Sequence, residues 1–396
     1  MKLFRSLPVQ LLLAILAGVL LGLVLPEEAM IPVVTIRYIL GQLITFCVPL
    51  IVIGFIAPSI TKLGKSATRM LCAAVILAYA SSILAALLSM GAGYGIIPHL
   101  NIISDPEGLR SLPQVAFQLD IPQIMPVMSA LVFSILLGLA AVWTRARTTT
   151  TLLEEFQHIV LAVVSRIVIP LLPFYIAATF CSLAWEGSIT RQAPVFLTVI
   201  LLVMAGHFLW MAILYIAAGS YAGKNPFEVI RHYGPAYLTA VGTMSSAATL
   251  GVALDCARKS SVLRRDMVDF GIPLFANIHL CGSVLTEVFF CMTVSKVLYG
   301  SLLDLGTMVL FCLLLGVFAI GAPGVPGGTV MASLGLIYGV LGFDDAGGAL
   351  MLAIFALQDS FGTACNITGD GALTLMLTGY ADKHGIGSQA AKTVEL

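Results

Sequence analysis

Charge is the scarcest commodity in this sequence. Only 10% of its 396 residues are Asp, Glu, Lys or Arg, against roughly a quarter in a soluble domain, while 59% are hydrophobic. Basic and acidic residues number 20 each, so the formal net charge is zero. No basic surface of the kind that attracts nucleic acid is available. Cysteine is limited to eight residues (Cys47, Cys72, Cys181, Cys256, Cys281, Cys291, Cys312 and Cys365). None forms a CxxC pair and most sit in apolar runs, which makes them packing residues rather than disulfides or metal ligands. The phosphate-cradling loop of nucleotide enzymes and the HExxH motif of zinc hydrolases are both missing, as is any polar stretch long enough for a soluble domain. A soluble enzyme and a nucleic-acid binder are thereby excluded.

What fills the chain is apolar runs of about 20 residues, the length that crosses a bilayer core. Clear spans fall at 9–25, 36–60, 70–93, 124–143, 159–185 and 194–218, with a polar loop over 97–123. The first run follows Lys2 and Arg5 as a signal peptide would. Pro26-Glu27-Glu28 stands where a small-residue cleavage site belongs, so it reads as a retained helix. The second half has apolar segments at 226–259, 267–296, 302–341 and 347–380. Two of them are interrupted midway, one by Gly242-Thr243-Met244-Ser245-Ser246-Ala247-Ala248-Thr249, the other by Gly321-Ala322-Pro323-Gly324-Val325-Pro326-Gly327-Gly328-Thr329.

Proline removes a backbone donor and glycine is poorly helical, so neither midpoint suits a continuous lipid-facing helix. Irregular backbone at membrane depth persists only where protein or a water-filled cavity covers it. The simplest solution is a re-entrant hairpin. Each hairpin precedes a span with its own polar stretch, His279-Leu280-Cys281-Gly282-Ser283 and then Asn366-Ile367-Thr368-Gly369-Asp370, expected as a break in the helix. Hairpin–span repeated twice is the trace of inverted repeats, which places a binding site between them. The expected fold is an all-α membrane protein with eight transmembrane helices and two re-entrant helical hairpins. With both termini in the cytoplasm most of the 20 basic residues fall on that side, leaving Arg37, Arg110, Arg191 and Lys296 outside. This obeys the positive-inside rule for an inner (plasma) membrane protein.

At these four segments the chain resembles the dicarboxylate/amino acid:cation symporter family, which includes glutamate, aspartate, neutral amino acid and serine/threonine transporters. The resemblance rests on Thr243-Met244-Ser245-Ser246-Ala247-Ala248-Thr249, on Gly324-Val325-Pro326-Gly327-Gly328, and on Gln358-Asp359-Ser360 with Thr363, Asn366 and Gly369-Asp370, in order and in register. The string Leu357-Gln358-Asp359-Ser360 is most similar to the serine/threonine branch. The resemblance implies a glutamate-transporter-like fold assembled as a homotrimer in lipid. It also implies a scaffold drawn mainly from residues 1–225, with the third span joining a mobile transport domain centred on 226–396.

In the last span Asp359, Thr363, Asn366 and Asp370 stand at i, i+4, i+7 and i+11, one stripe of a helix. Carboxylates inside a membrane are costly and normally mark a substrate or ion path. The resemblance implies that Asp359 receives a substrate ammonium group, Asn366 binds its backbone end, and Asp370 anchors Na⁺ with Asn366 and the backbone at His279. Thr363, Ser245, Ser246, Val325 and Gly327 complete the substrate site. Acidic-substrate members carry an arginine at the position of Gly362, and some carry another at that of Met244; both are absent. The expected solute is therefore a small neutral amino acid such as serine, threonine or alanine, with C4-dicarboxylates or acidic amino acids as the alternative. The usual Asn-Met-Asp-Gly-Thr reads His279-Leu280-Cys281-Gly282-Ser283, which loses one sodium ligand at Cys281. Glu287 stands where proton-coupled members carry a glutamate. Glu287 and His279 are the candidates for proton coupling, so Na⁺ and/or H⁺ are the expected coupling ions.

Enzyme and channel readings were weighed against this one. Intramembrane aspartyl proteases need their two aspartates on different helices, whereas Asp359 and Asp370 share one stripe. A channel would want repeated pore-lining rings. His207 and Arg166 are expected to make helix contacts, and Asp255 with Arg258 to form a local ion pair.

Overall fold

The computed structural model of the protein describes residues 7–65, 69–100, 110–322 and 327–386. Helices make up most of the described residues, which contain no strand. The first half holds α1 (Leu7–Val24), α2 (Glu27–Lys65), α3 (Arg69–Ile96), α4 (Val127–Trp143), α5 (Arg147–Val163), α6 (Ile169–Glu186) and α7 (Ser188–Ala222). A π-helical segment, Val164–Val168, joins α5 to α6 without a break. After a single turn, α8 (Phe227–Ile230), come α9 (Gly234–Thr243), α10 (Ser246–Arg258), α11 (Arg265–Ile278), α12 (Cys281–Tyr299), α13 (Leu305–Gly321), α14 (Gly328–Gly339) and α15 (Asp345–Lys383).

Among the described residues, six stretches are long and apolar enough to cross a membrane: Glu27–Pro58, Arg69–His99, Arg147–Glu186, Val195–Ala222, Arg265–Tyr299 and Asp345–Lys383. The least apolar of them lie deepest. Arg265–Tyr299 and Asp345–Lys383, at mean hydropathy 1.5 and 1.3 against 2.3 or 2.4 for the others, are 89% and 83% buried over their most apolar windows. The surface is apolar instead, with Leu16 and Leu20 on α1 and Leu201 and Ile216 on α7 exposed. A soluble protein keeps large apolar patches inside. This inversion is that of a multi-pass membrane protein.

Two packing groups divide the molecule. In one, α1 lies along α6, and α2 packs on α4, α5 and α6. In the other, α15 is gripped by α7, α9, α11 and α12, while α3 packs on α12 and α13. Packing of α14 on α2 and α4 connects the groups.

The first interrupted segment folds as helix–break–helix, and a helix stands on either side of the second. Helices α9 and α10 pack on each other around Met244, which takes a left-handed conformation at φ 51°, and Ser245, whose extended backbone and Oγ cap α10 by accepting from the Ala248 N–H at 3.2 Å. At 10 and 13 residues these arms reach roughly 15 and 20 Å at 1.5 Å per residue. That is too short for a bilayer core of about 30 Å. Helices α13 and α14 also pack on each other, and Gly327, at φ 70°, opens α14. Residues 323–326, and with them Val325, lie outside the described residues.

The expected break in the last span is absent. α15 runs unbroken for 39 residues through Asn366 and Asp370. The helix persists because those side chains find partners on other helices instead of competing for their own backbone. The break at His279-Leu280 is real: both residues leave helical geometry and separate α11 from α12. Another correction concerns Arg258, which bridges Asp269 on α11 at 2.8 Å instead of pairing with Asp255.

Candidate functional site

Helix α12 begins inside the protein, so its first N–H groups need acceptors. Asn366 of α15 supplies one. Its Oδ1 accepts from the backbone N–H of Gly282 at 2.7 Å and of Ser283 at 3.2 Å, and its Nδ2 donates to Ser283 Oγ at 2.9 Å. Close approach permits this. A Cβ on Gly282 would lie 2.5 Å from Cys365 Cβ and 2.5 Å from the Gly362 carbonyl oxygen. Gly362 itself faces Ser283, where a Cβ would lie 3.4 Å from the backbone N and Cα, an ordinary contact.

One turn beyond Asn366, Asp370 Oδ1 meets His279 Nδ1 at 2.9 Å, and the other ring nitrogen of His279 lies 2.9 Å from Ser81 Oγ of α3. The broken end of α11 is thus tied to α15 on one side and α3 on the other. Asp370 Oδ2 is buried without a hydrogen-bond partner among the described residues. Sequence reasoning did not single out Ser81, whose only signal is a Ser81-Ser82 pair in an apolar run.

At the opposite end of the stripe, Asp359 Oδ2 accepts from the Gly327 N–H at 2.6 Å. A carboxylate from α15 therefore sits on the N-terminus of α14, where exposed N–H groups and the helix dipole favour an anion. Thr363, one turn along the same helix, lies beside this carboxylate. Met244 of the first break and Gly327 of the second line one small cavity with Val330 and Phe355. It measures about 10 Å³, the size of a single water. Ser246 is buried beside them in the first turn of α10.

Glu287 does not share this cluster. It is fully buried on α12, where Ser333 Oγ of α14 donates to its Oε1, and its Oε2 has no partner among the described residues. Ser333 was not anticipated either; nothing distinguishes it in the sequence from other small residues of α14. His207 of α7 does make helix contacts, its Nε2 lying 3.1 Å from the Gly282 carbonyl and 2.9 Å from Thr286 Oγ1. Among the described residues no group of three or more His, Cys, Asp or Glu gathers as a metal site.

The structure therefore brings Asp359, Thr363, Asn366 and Asp370 onto one face of a buried helix. Gly327, the described edge of the second break, and the α11–α12 break meet that face, and Met244 of the first break lines one cavity with Gly327. The family model described as the sodium:dicarboxylate symporter family matches residues 7–379. The chain belongs to that family. Relatives include a serine/threonine transporter, SstT, of Acinetobacter baylyi, 32% identical over 43% of this chain and 44% of its own. Excitatory amino acid transporter 2 of Mus musculus is 26% identical over 55% of this chain and 39% of its own. A putative sodium-dependent excitatory amino acid transporter, glt-4, of Caenorhabditis elegans is 24% identical over 71% of this chain and 56% of its own. The chain thus matches about half the length of these relatives or less. The family and these relatives are transporters, not enzymes.

Proposed function

We propose that this symporter-family protein carries a small neutral amino acid such as serine, threonine or alanine across the inner membrane, coupled to Na⁺ and/or H⁺. Asp359 carries the reading. A buried carboxylate on the α14 N-terminus offers a counter-charge to an α-ammonium group, and the adjacent N–H groups of the broken helix suit an α-carboxylate. A second substrate carboxylate would find no guanidinium, because the stripe has Gly362 where acidic-substrate members place arginine and Met244 at the first break. Without one, a second buried carboxylate would forgo the bidentate, charge-assisted pairing that offsets its desolvation. Ser245, Ser246 and Val325 complete the binding surface. Asn366 positions the start of α12 below the substrate.

In this reading α1 and α4 join the six long stretches as spans, making eight, and α9–α10 and α13–α14 are re-entrant hairpins. Both termini are cytoplasmic and three copies assemble in lipid. The scaffold comes mainly from the first half, and α3 and α7 travel with the second half because they pack on α12 and α15. Access alternates as that unit moves. The 10 Å³ cavity must open at the α14 tip to admit an amino acid, which breaks the Asp359–Gly327 bond. Asp370, with one free oxygen, and the backbone at His279 serve Na⁺; Glu287 carries the proton.

Uptake of labelled serine, alanine, aspartate and succinate into proteoliposomes, with Na⁺ and pH gradients imposed separately, tests the proposal. Serine uptake that fails in Asp359→Asn is expected. Saturable succinate uptake without competition by serine would overturn the substrate and favour a dicarboxylate carrier.

A further inference from the structure

A second cavity, of about 110 Å³, lies where α15 begins. Both packing groups build it: Val34, Arg37 and Tyr38 from α2, Val115 from the connection before α4, Tyr175 from α6, and Asp345 from the first turn of α15. Two opposite charges face this space without closing on each other. Arg37 makes no ion pair or hydrogen bond through its side chain among the described residues, although Asp345 and Glu186 lie within its electrostatic reach. Asp345 is likewise unpaired; its neighbour Asp344 is the residue that caps α15, through the Gly347 N–H. Tyr38 is committed, since its hydroxyl donates to Asp120 Oδ1 at 2.7 Å.

Tyr175 adds a third open group. It is only 3% exposed, and its ring packs over Gly41, where a Cβ would sit 3.5 Å from a ring carbon. Yet its hydroxyl makes no hydrogen bond among the described residues. Buried tyrosine hydroxyls usually find a partner, and a free guanidinium presents the planar fork that fits a carboxylate. A cation, a hydroxyl and a carboxylate lining one space complement the two ends of a zwitterion. The volume of about 110 Å³ is several times what one water needs, room for a small polar solute.

We propose that this cavity is a second amino acid site, separate from the Asp359 stripe. The ligand's carboxylate rests on Arg37 and the Tyr175 hydroxyl, and its ammonium on Asp345. Only the choice of ligand rests on the transport reading. The bound molecule would bridge α2 and α6 to the head of α15, so it also holds the two packing groups together.

Equilibrium binding of labelled L-serine to the full-length protein in lipid nanodiscs tests the proposal. Two molecules per chain are expected for the wild type. Asp359→Asn should remove one and leave one; Asp359→Asn combined with Arg37→Gln or with Asp345→Asn should bind none. Tyr175→Phe in the Asp359→Asn background should weaken the remaining site by about tenfold, as loss of one hydrogen bond to a charged group does. Unchanged melting temperatures confirm that each variant is folded. The proposal is overturned if Asp359→Asn alone abolishes all binding, if the residual binding ignores Arg37 and Asp345, or if the wild type binds no serine. Serine retained by Asp359→Asn, when the wild type itself takes up no serine, would sink the transport reading and leave this site standing. Uptake with only one molecule bound would do the reverse.

Discussion

Asp370 and His279 face each other at 2.9 Å across the start of α12, both side chains wholly withdrawn from solvent. One acidic oxygen is satisfied by the imidazole and the other by nothing among the described residues. Removing the imidazole would leave a buried carboxylate with neither oxygen paired. His279→Ala is expected to destabilise the protein by about 3–5 kcal/mol, the usual cost of breaking one side of a buried pair. The double variant His279→Ala/Asp370→Ala should lose less than the sum of the two single losses. Thermal unfolding in detergent reads both; strict additivity would mean the two groups are not coupled.

Gly282 and Gly362 make a matched pair on the facing surfaces of α12 and α15. Gly282→Ala drives a methyl group to within 2.5 Å of Cys365 Cβ and the Gly362 carbonyl. It should cost about 1–3 kcal/mol by overpacking. Gly362→Ala meets ordinary contact distances and gains helix propensity, so its stability should equal or exceed wild type by up to about 1 kcal/mol. Melting curves of the two variants, side by side, check the contrast.

If Glu287 carries the proton, an inward proton gradient should stimulate serine uptake by the wild type. Glu287→Gln, which preserves the shape and a partner for Ser333, should abolish that stimulation while Na⁺ dependence remains. Uptake that responds equally to pH in both proteins would remove Glu287 from the coupling scheme.

At the head of α13, Asp304 accepts from the Thr307 N–H at 3.0 Å and from the Thr307 hydroxyl. The Thr307 hydroxyl, and then its backbone N–H, hold the Asp304 carboxyl below its ordinary range. A carboxyl depressed in the folded state adds stability that is complete above its unfolded pKa and is lost as pH falls through the lower folded value. Asp304→Ala should therefore melt earlier than wild type at neutral pH, and the difference should shrink as the buffer is taken below the usual carboxylate range. A gap independent of pH would show that the cap works without its charge.

Much of this was legible in the sequence, and for identifiable reasons. Apolar runs mark spans because charge cannot be left in lipid, and Met244-Ser245 and Gly327 mark helix ends because their backbone chemistry is local. The stripe from Asp359 to Asp370 needed only the helical period. What stayed hidden depends on which helix lies next to which. Asn366 and Asp370 looked like helix breakers because their partners, the α12 N–H groups and His279, are about 90 residues away in sequence. Ser81 and Ser333 carry no signal until α3 and α14 are packed. Arg258 was assigned to the nearest acid in its own helix, whereas the fold offers it Asp269.

Helix α15, unbroken over 39 residues, is about 58 Å long, nearly twice the depth of the hydrocarbon core. A helix of that length with no break along it has no joint at which to fold. Asp345 at one tip and Asp382 at the other, the latter held by Lys224 and Arg264, must shift together or not at all. A spectroscopic label at either tip would therefore record the same stroke, and any load placed on the far end is felt at the midpoint as displacement.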